Sequence, residues 1–98
     1  MAFEQAGAFS ILLEGTLSNV ASEITRQVSV PVIGIGSGAD VDGQVLVWSD
    51  MLGFFEDFKP KFVKRYLDGA TLVRKGVQSY ANEVKSKIFP SEEFSYKG

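Results

Sequence analysis

The sequence predicts an α/β fold built on three parallel strands. Three short apolar runs, near residues 9–14, 30–35 and 44–48, are bounded by glycine or turn residues, as strands are. The second run is β-branched and apolar on both faces, which is typical of a parallel strand covered on both sides. A segment with helical spacing separates the first two runs, so we expect a right-handed βαβ crossover.

The first run predicts a buried strand that begins near Phe9 and ends on Glu14. Ser18 is the expected N-cap of the next element. A short amphipathic helix is predicted near 19–27, because apolar side chains recur there at helical spacing: Val20, Ala21, Ile24 and Val28.

The second strand has Pro31 near its beginning, where a missing N–H is tolerated. A tight glycine-rich loop, 36–43, leads into the third strand. That strand closes on Ser49 and Asp50, which are polar groups at a carboxyl end.

The last third of the chain predicts two helices, near 61–67 and 70–88, with a break at Asp68-Gly69. Pro90 would end the second helix, and the tail from Ser91 would be frayed or packed on a neighbour. One face of this helix is an apolar stripe: Val73, Val77, Tyr80, Val84 and Ile88.

The composition limits the possible functions. The 98 residues form one unit with a net charge of −2, no Cys and no His. A net charge of −2 does not indicate a basic surface of the kind that binds nucleic acid. No apolar run could span a membrane, and the start does not resemble a signal peptide, so we expect a cytoplasmic protein. Any catalysis must use carboxylates, hydroxyls, Lys, Tyr or backbone groups.

A three-stranded parallel sheet leaves two open edges, and open edges pair with other chains. The sequence therefore predicts one part of a larger β/α body that forms a homo-oligomer.

Glu14 is the candidate catalytic residue. Chemistry in parallel β/α folds is placed at the carboxyl ends of strands, and a carboxylate there is costly unless it is paired or used. From the residue alone, capping the next helix or pairing with a lysine is the commoner outcome.

Two loop motifs match known patterns only in part. Gly34-x-Gly36-x-x-Ala39 fits the dinucleotide fingerprint by letter, but it leads into a turn and a strand instead of a helix. We interpret it as small residues that allow a ligand or a loop to approach. Asp40-x-Asp42-Gly43 resembles the start of a calcium loop, but Met51 stands where a bidentate Glu is needed, so turn formation is favoured.

Residues 59–66 combine basic and aromatic side chains. They could contact phosphates, but flanking acids favour a solvated helix start with salt bridges. Packing in a core or an interface is the expected role of the aromatic cluster, which comprises Phe54, Phe55, Phe58, Phe62 and Tyr66.

Four segments in order resemble the C-terminal part of ketopantoate hydroxymethyltransferases. They are Ile11-Leu12-Leu13-Glu14, Val30 to Gly38 (VPVIGIGSG), Asp42 to Gly53 (DGQVLVWSDMLG) and Pro60 to Tyr66 (PKFVKRY). Gly15-Thr16-Leu17 and Ser49 depart from the family pattern.

The resemblance implies the last three strands and the C-terminal helices of a (β/α)₈ barrel. The implied reaction transfers a hydroxymethyl group from methylenetetrahydrofolate to a small 2-oxo acid, 3-methyl-2-oxobutanoate, towards pantothenate. Glu14 matches the catalytic base, and the ligands of the implied Mg²⁺ lie outside this chain. We therefore expect the isolated chain to be inactive; the alternative is a barrel fragment that acts only in assembly.

Overall fold

The computed structural model describes residues 1–98 and is organised around a parallel sheet in the order β1–β2–β3. β1 spans Ile11–Glu14, β2 spans Val32–Ile35 and β3 spans Gly43–Gln44. Both neighbouring pairs are parallel. The predicted α/β class with a three-stranded parallel sheet is confirmed.

Four helices accompany the sheet. They are α1 (Ala2–Gln5), α2 (Ser18–Gln27), α3 (Trp48–Met51) and α4 (Gly69–Lys85), and a short 3₁₀ turn follows at Glu92–Phe94. α2 crosses from β1 to β2, as the apolar spacing predicts. The short helices α1 and α3 carry no sequence signal that we identified.

The start of α2 differs from the prediction. Leu17 occupies the N-cap position and Ser18 is already helical, with no side-chain hydrogen bond closing the first turn. A hydroxyl one position too late cannot accept from the N–H groups of that turn in the usual N-cap geometry.

The third strand is much shorter than the predicted 44–48. The ladder ends after the Val45 N–H donates to the Gly34 carbonyl at 3.0 Å. The N–H groups of Asp50 and Met51 then donate to the Val47 carbonyl, at 3.0 and 2.8 Å. These local bonds form the α3 turn, so the apolar chain leaves the sheet after Val45.

The helix predicted near 61–67 is wrong. The Tyr66 N–H donates to the Met51 carbonyl at 2.8 Å, and just past this stretch the Gly69 N–H donates to the Leu52 carbonyl, also at 2.8 Å. Tertiary pairing with the α3 turn therefore takes donors that a helix would use internally.

α4 ends before the predicted residue 88. Lys87 adopts a left-handed conformation with φ of 62°. The Ile88 N–H donates to the Glu83 carbonyl at 2.9 Å, and the Lys87 N–H donates to the Val84 carbonyl at 3.1 Å. This pair of bonds is a Schellman motif, which ends the helix before Pro90 is reached.

The chain is an open body with little core. Its radius of gyration is 22.6 Å, against about 13 Å for a compact chain of this length. Only seven of the 98 residues are buried, and the buried apolar side chains are Ala21, Val32 and Val63. The prediction that Phe9–Glu14 is a buried strand is wrong within this chain, because no element covers it: Phe9 is 87% exposed.

Candidate active site

The strand register gathers one group of residues at the carboxyl edge of the sheet. Glu14 is paired with Ile35, so the ends of β1 and β2 lie side by side. The Gly15 N–H continues the pairing by donating to the Ile35 carbonyl at 2.9 Å. Residues 36–38 therefore begin next to the turn that carries Glu14.

Ser37 joins these two strand ends. Its side chain is almost completely buried, at 1% exposure. Its Oγ lies 3.0 Å from the Leu13 carbonyl and 3.3 Å from the Ile35 carbonyl, and it accepts from the Thr16 N–H at 3.1 Å. One hydroxyl thus contacts the backbone on both sides of Glu14.

Glu14 itself is exposed, and its carboxylate makes no hydrogen bond or ion pair in the structure. Neither alternative role predicted from the sequence is present, since α2 has no side-chain cap and Glu14 has no lysine partner. Its carboxylate is therefore available at the strand end, although this chain alone supplies no dry surroundings for it.

Gly36 allows a close approach from the loop that follows α3. It has φ of +65°, and a Cβ placed there would lie 2.5 Å from the Phe62 ring. Gly38 similarly has φ of +86° and lies against Ser18 of α2. The glycines thus admit neighbouring segments of the chain, which is one of the two occupants that the sequence suggested.

A cleft of about 490 Å³ opens beside the Glu14 turn. The N-terminal end of α2 forms one wall, and the loop that carries Phe62 forms another. Its lining residues are Gly15, Thr16, Leu17, Ser18, Gly36, Gly38, Lys61 and Phe62. Glu14 is not among the lining residues, but the residue that follows it is. A concave surface of this size at the carboxyl end of the strands is a candidate substrate site.

The basic stretch at 59–66 is not a salt-bridged helix start. Arg65 donates to the Phe55 carbonyl at 2.9 Å, and the Lys64 ammonium lies 4.9 Å from the centre of the Tyr66 ring. Glu56 pairs instead with Arg74 of α4, at 2.6 Å. Lys61 is left without a carboxylate partner at the mouth of the cleft.

The Asp40-x-Asp42-Gly43 turn is structural. The Asp42 carboxylate accepts from the Val32 N–H at 2.8 Å, and the Asp42 N–H donates to the Val32 carbonyl at 2.9 Å. This contact lies at the amino end of β2, away from Glu14.

Ser49 and Asp50 lie within α3 and do not follow β3 directly, because the strand ends at Gln44. The aromatic cluster around them is exposed in part. Phe54 packs against Trp48 with ring centres 5.7 Å apart, yet Phe58 remains 66% exposed.

The 98 residues bring together no group of three or more His, Cys, Asp or Glu that could hold a metal ion. None of the helices is both long and apolar enough to cross a bilayer.

Comparison with known proteins defines the class to which this sheet and strand-end carboxylate belong. Residues 1–92 match the family described as ketopantoate hydroxymethyltransferase. The chain therefore belongs to the ketopantoate hydroxymethyltransferase family.

Its relatives include proteins named 3-methyl-2-oxobutanoate hydroxymethyltransferase. The protein from Campylobacter concisus (strain 13826) is 93% identical over 98 residues, which are 100% of this chain and 36% of that protein. The one from Campylobacter curvus (strain 525.92) is 81% identical over 97 residues, which are 99% of this chain and 36% of the relative. That from a Nitratiruptor species is 66% identical over 95 residues, which are 97% of this chain and 37% of the relative.

The chain thus spans little more than a third of the length of the curated relatives that it matches.

Sequence reasoning missed the functional placement of Ser37 and Phe62. Ser37 stands between two glycines, a context that indicates only a loop. Phe62 appears within an aromatic cluster, and its contact with Gly36 crosses 26 residues of sequence. The one available signal is that glycines stand in β2 and directly after it, at Gly34 and Gly36, which indicates that another group approaches the backbone there.

Proposed function

We propose that these 98 residues form a partial TIM-barrel domain, the C-terminal part of a (β/α)₈ barrel that transfers a hydroxymethyl group to 3-methyl-2-oxobutanoate. The family membership and the parallel β1–β2–β3 sheet support this assignment. Its two open edges are the surfaces that the other barrel strands would pair with.

Glu14 carries the proposed chemistry. The observation behind this role is its free carboxylate at the carboxyl end of β1, followed directly by Gly15 and Thr16 in the lining of the cleft. The carboxylate takes the C3 proton of the 2-oxo acid, and the electron pair of that C–H bond moves into an enolate. With water as the co-reactant, the one-carbon unit of methylenetetrahydrofolate, the proposed co-substrate, is released as formaldehyde: both of its C–N bonds break and the two folate nitrogens become N–H groups. C3 of the enolate then forms a bond to the formaldehyde carbon while the C=O π pair moves to its oxygen. The resulting alkoxide takes the proton held by Glu14, which completes the hydroxymethyl group.

Closure of the barrel would exclude water from Glu14, and electrostatic interactions at a reacting centre are stronger where water is excluded. The residues that could hold Mg²⁺ would belong to the strands outside this chain. We place the assembled enzyme in the cytoplasm as a homo-oligomer.

Glu14→Gln in a full-length barrel tests this function. Gln keeps the size of the side chain and removes the base, so kcat should fall by about a hundredfold or more. Exchange of the C3 proton with deuterated solvent should fall in parallel. Glu83→Gln makes the same chemical change on exposed α4 and should leave both rates unchanged. Wild-type exchange in Glu14→Gln would show that Glu14 is not the base.

The second candidate is a fragment that acts only in assembly, and the small number of buried residues favours it for the isolated chain. Purified residues 1–98 should form no ketopantoate when Mg²⁺ and methylenetetrahydrofolate are supplied. Turnover above the buffer background would refute inactivity of the isolated chain.

A further inference from the structure

Ser37 is the one buried polar side chain at the carboxyl edge of the sheet, and the proposed chemistry does not use it directly. A hydroxyl has one proton and two lone pairs. Ser37 donates that proton to the Leu13 carbonyl, the nearer of its two carbonyl neighbours, and accepts from the Thr16 N–H. Both capacities are therefore directed at the β1 turn.

These two contacts bracket Glu14. Leu13 precedes it, and Thr16 follows it by two residues, after Gly15 with its left-handed φ of +63°. The Glu14 side chain has no bond of its own to fix its direction. Its direction depends on the backbone between Leu13 and Thr16, and Ser37 holds that backbone at both ends.

We propose that Ser37 is the positioning residue for Glu14, setting the direction in which the carboxylate leaves the strand end. This role rests on the proposed function of Glu14 as the base. Ser37 does not touch the reacting atoms. Its effect is to keep the base within reach of the C3 proton each time substrate binds.

Ser37→Ala removes the hydroxyl and leaves the Thr16 N–H without its acceptor. In a full-length barrel, we expect the rate of C3 proton exchange to fall by roughly tenfold, because small misplacements of a catalytic group are costly. The KM for the 2-oxo acid should stay within about twofold, since ground-state binding is not what Ser37 controls.

Thr25→Val is the matched control. Thr25 Oγ1 donates to the Ala21 carbonyl at 2.8 Å, so this variant also removes one hydroxyl bond to the backbone. Thr25 lies near the other end of α2 and should leave the exchange rate unchanged. Ser37→Cys keeps a weak donor, so its exchange rate should lie between those of wild type and Ser37→Ala. If Ser37→Ala does not fold, the exchange rate of Ser37→Cys is compared with that of wild type instead.

A double-mutant cycle separates positioning from a general loss of structure. If Ser37 acts through Glu14, the Ser37 substitution should have no further effect on the residual exchange of Glu14→Gln. An equal fractional loss in both backgrounds would overturn the positioning role.

The remaining outcomes distinguish the two proposals. Wild-type exchange in Ser37→Ala, together with lost exchange in Glu14→Gln, would refute only the role of Ser37. Wild-type exchange in Glu14→Gln would refute the role of Glu14 and, with it, that of Ser37.

Discussion

Gly36 is under two separate constraints at the edge of the candidate site. Its φ of +65° is strained for any residue with a Cβ, and that Cβ would also overlap the Phe62 ring. Gly15 has nearly the same φ, +63°, but no atom lies within 4 Å of the Cβ position. The two glycines therefore separate backbone strain from steric overlap.

We expect Gly36→Ala to destabilise a full-length barrel more than Gly15→Ala does. In both variants the free energy of unfolding should fall by about 1–2 kcal/mol, because alanine is strained in the left-handed backbone conformation. In Gly36→Ala the free energy of unfolding should fall by about 1–3 kcal/mol more, because the added Cβ overlaps the Phe62 ring. Chemical denaturation measures the difference.

Phe62→Ala provides the internal check on this prediction. In its background, Gly36→Ala should cost no more than Gly15→Ala, because the overlapping ring is gone. Equal costs for the two glycine variants in the wild-type background would contradict the close contact.

At the scale of single elements, Lys87, which lies just past the C-terminal end of α4, has an unfavourable backbone conformation that a substitution could relieve. Lys87 occupies the left-handed position of the Schellman motif, where glycine is free of the Cβ penalty. Lys87→Gly should therefore stabilise the helix end by about 1 kcal/mol. Circular dichroism of the chain during thermal unfolding tests it.

Lys85→Gly is the control, because Lys85 is the last residue inside α4. Glycine there should reduce the helical signal by raising the entropy of the unfolded state. If both variants lose helicity, Lys87 is not left-handed in solution.

α1 is tied to the segment before β2 by a carboxylate that responds to pH. The Ser29 side chain and its N–H, the latter at 3.0 Å, both donate to Glu4 Oε1, and they lower the pKa of Glu4 below its ordinary 4.5. The contribution of a lowered carboxyl pKa is present above 4.5 and is lost as pH falls through the folded-state value. We expect NMR titration to place the Glu4 pKa below 4.5.

Ser29→Ala removes the hydroxyl, which is the larger cause, and should raise the Glu4 pKa towards its ordinary value. An unchanged pKa in that variant would mean that the Ser29 hydroxyl does not hold Glu4.

The elements that the sequence predicted are those whose signals are local. The β-branched stretch before Gly36 indicated β2, and apolar spacing indicated α2 and α4. The prediction failed at 45–48, where the Val47 carbonyl accepts from the N–H groups of Asp50 and Met51 in the α3 turn. It also failed at 61–67, where the Tyr66 N–H donates to the Met51 carbonyl, a tertiary contact that periodicity does not encode.

The candidate site was predictable to the same extent. A carboxylate after an apolar run identified Glu14 as the candidate. The partners of Ser37 and Phe62 depend on which segments meet in three dimensions, and spacing along the chain carries no such information.

At the scale of the whole molecule, the exposed apolar surface predicts association. All five residues of the apolar stripe predicted from the sequence are exposed, from 43% at Val84 to 63% at Ile88, which lies just past the end of α4. Burial of apolar area contributes about 25 cal/mol per Å², so covering the stripe and the sheet edges would favour assembly by several kcal/mol. Sedimentation at micromolar concentration should show an oligomer or aggregates.

Val77→Glu places a charge on the stripe and should shift the sedimenting species towards smaller sizes. Gln78→Glu adds the same charge on the opposite, polar face and should have little effect. A sharp monomer boundary at every concentration, with cooperative unfolding, would show that the chain closes its own core and that the barrel-fragment interpretation is wrong.

A side-chain hydrogen bond stabilises each end of β2. At its beginning the Asp42 carboxylate accepts from the Val32 N–H, and just past its end the Ser37 hydroxyl donates to the Leu13 carbonyl of β1. If β2 shifted by one residue relative to β1 and β3, both hydrogen bonds would break. Every side chain of β2 would also turn to the other face of the sheet. Residues 31–44 thus contain the side chains that fix the register of β2. A piece of sheet that is open on both sides can in this way present a defined register to whatever strands join it, before those strands arrive.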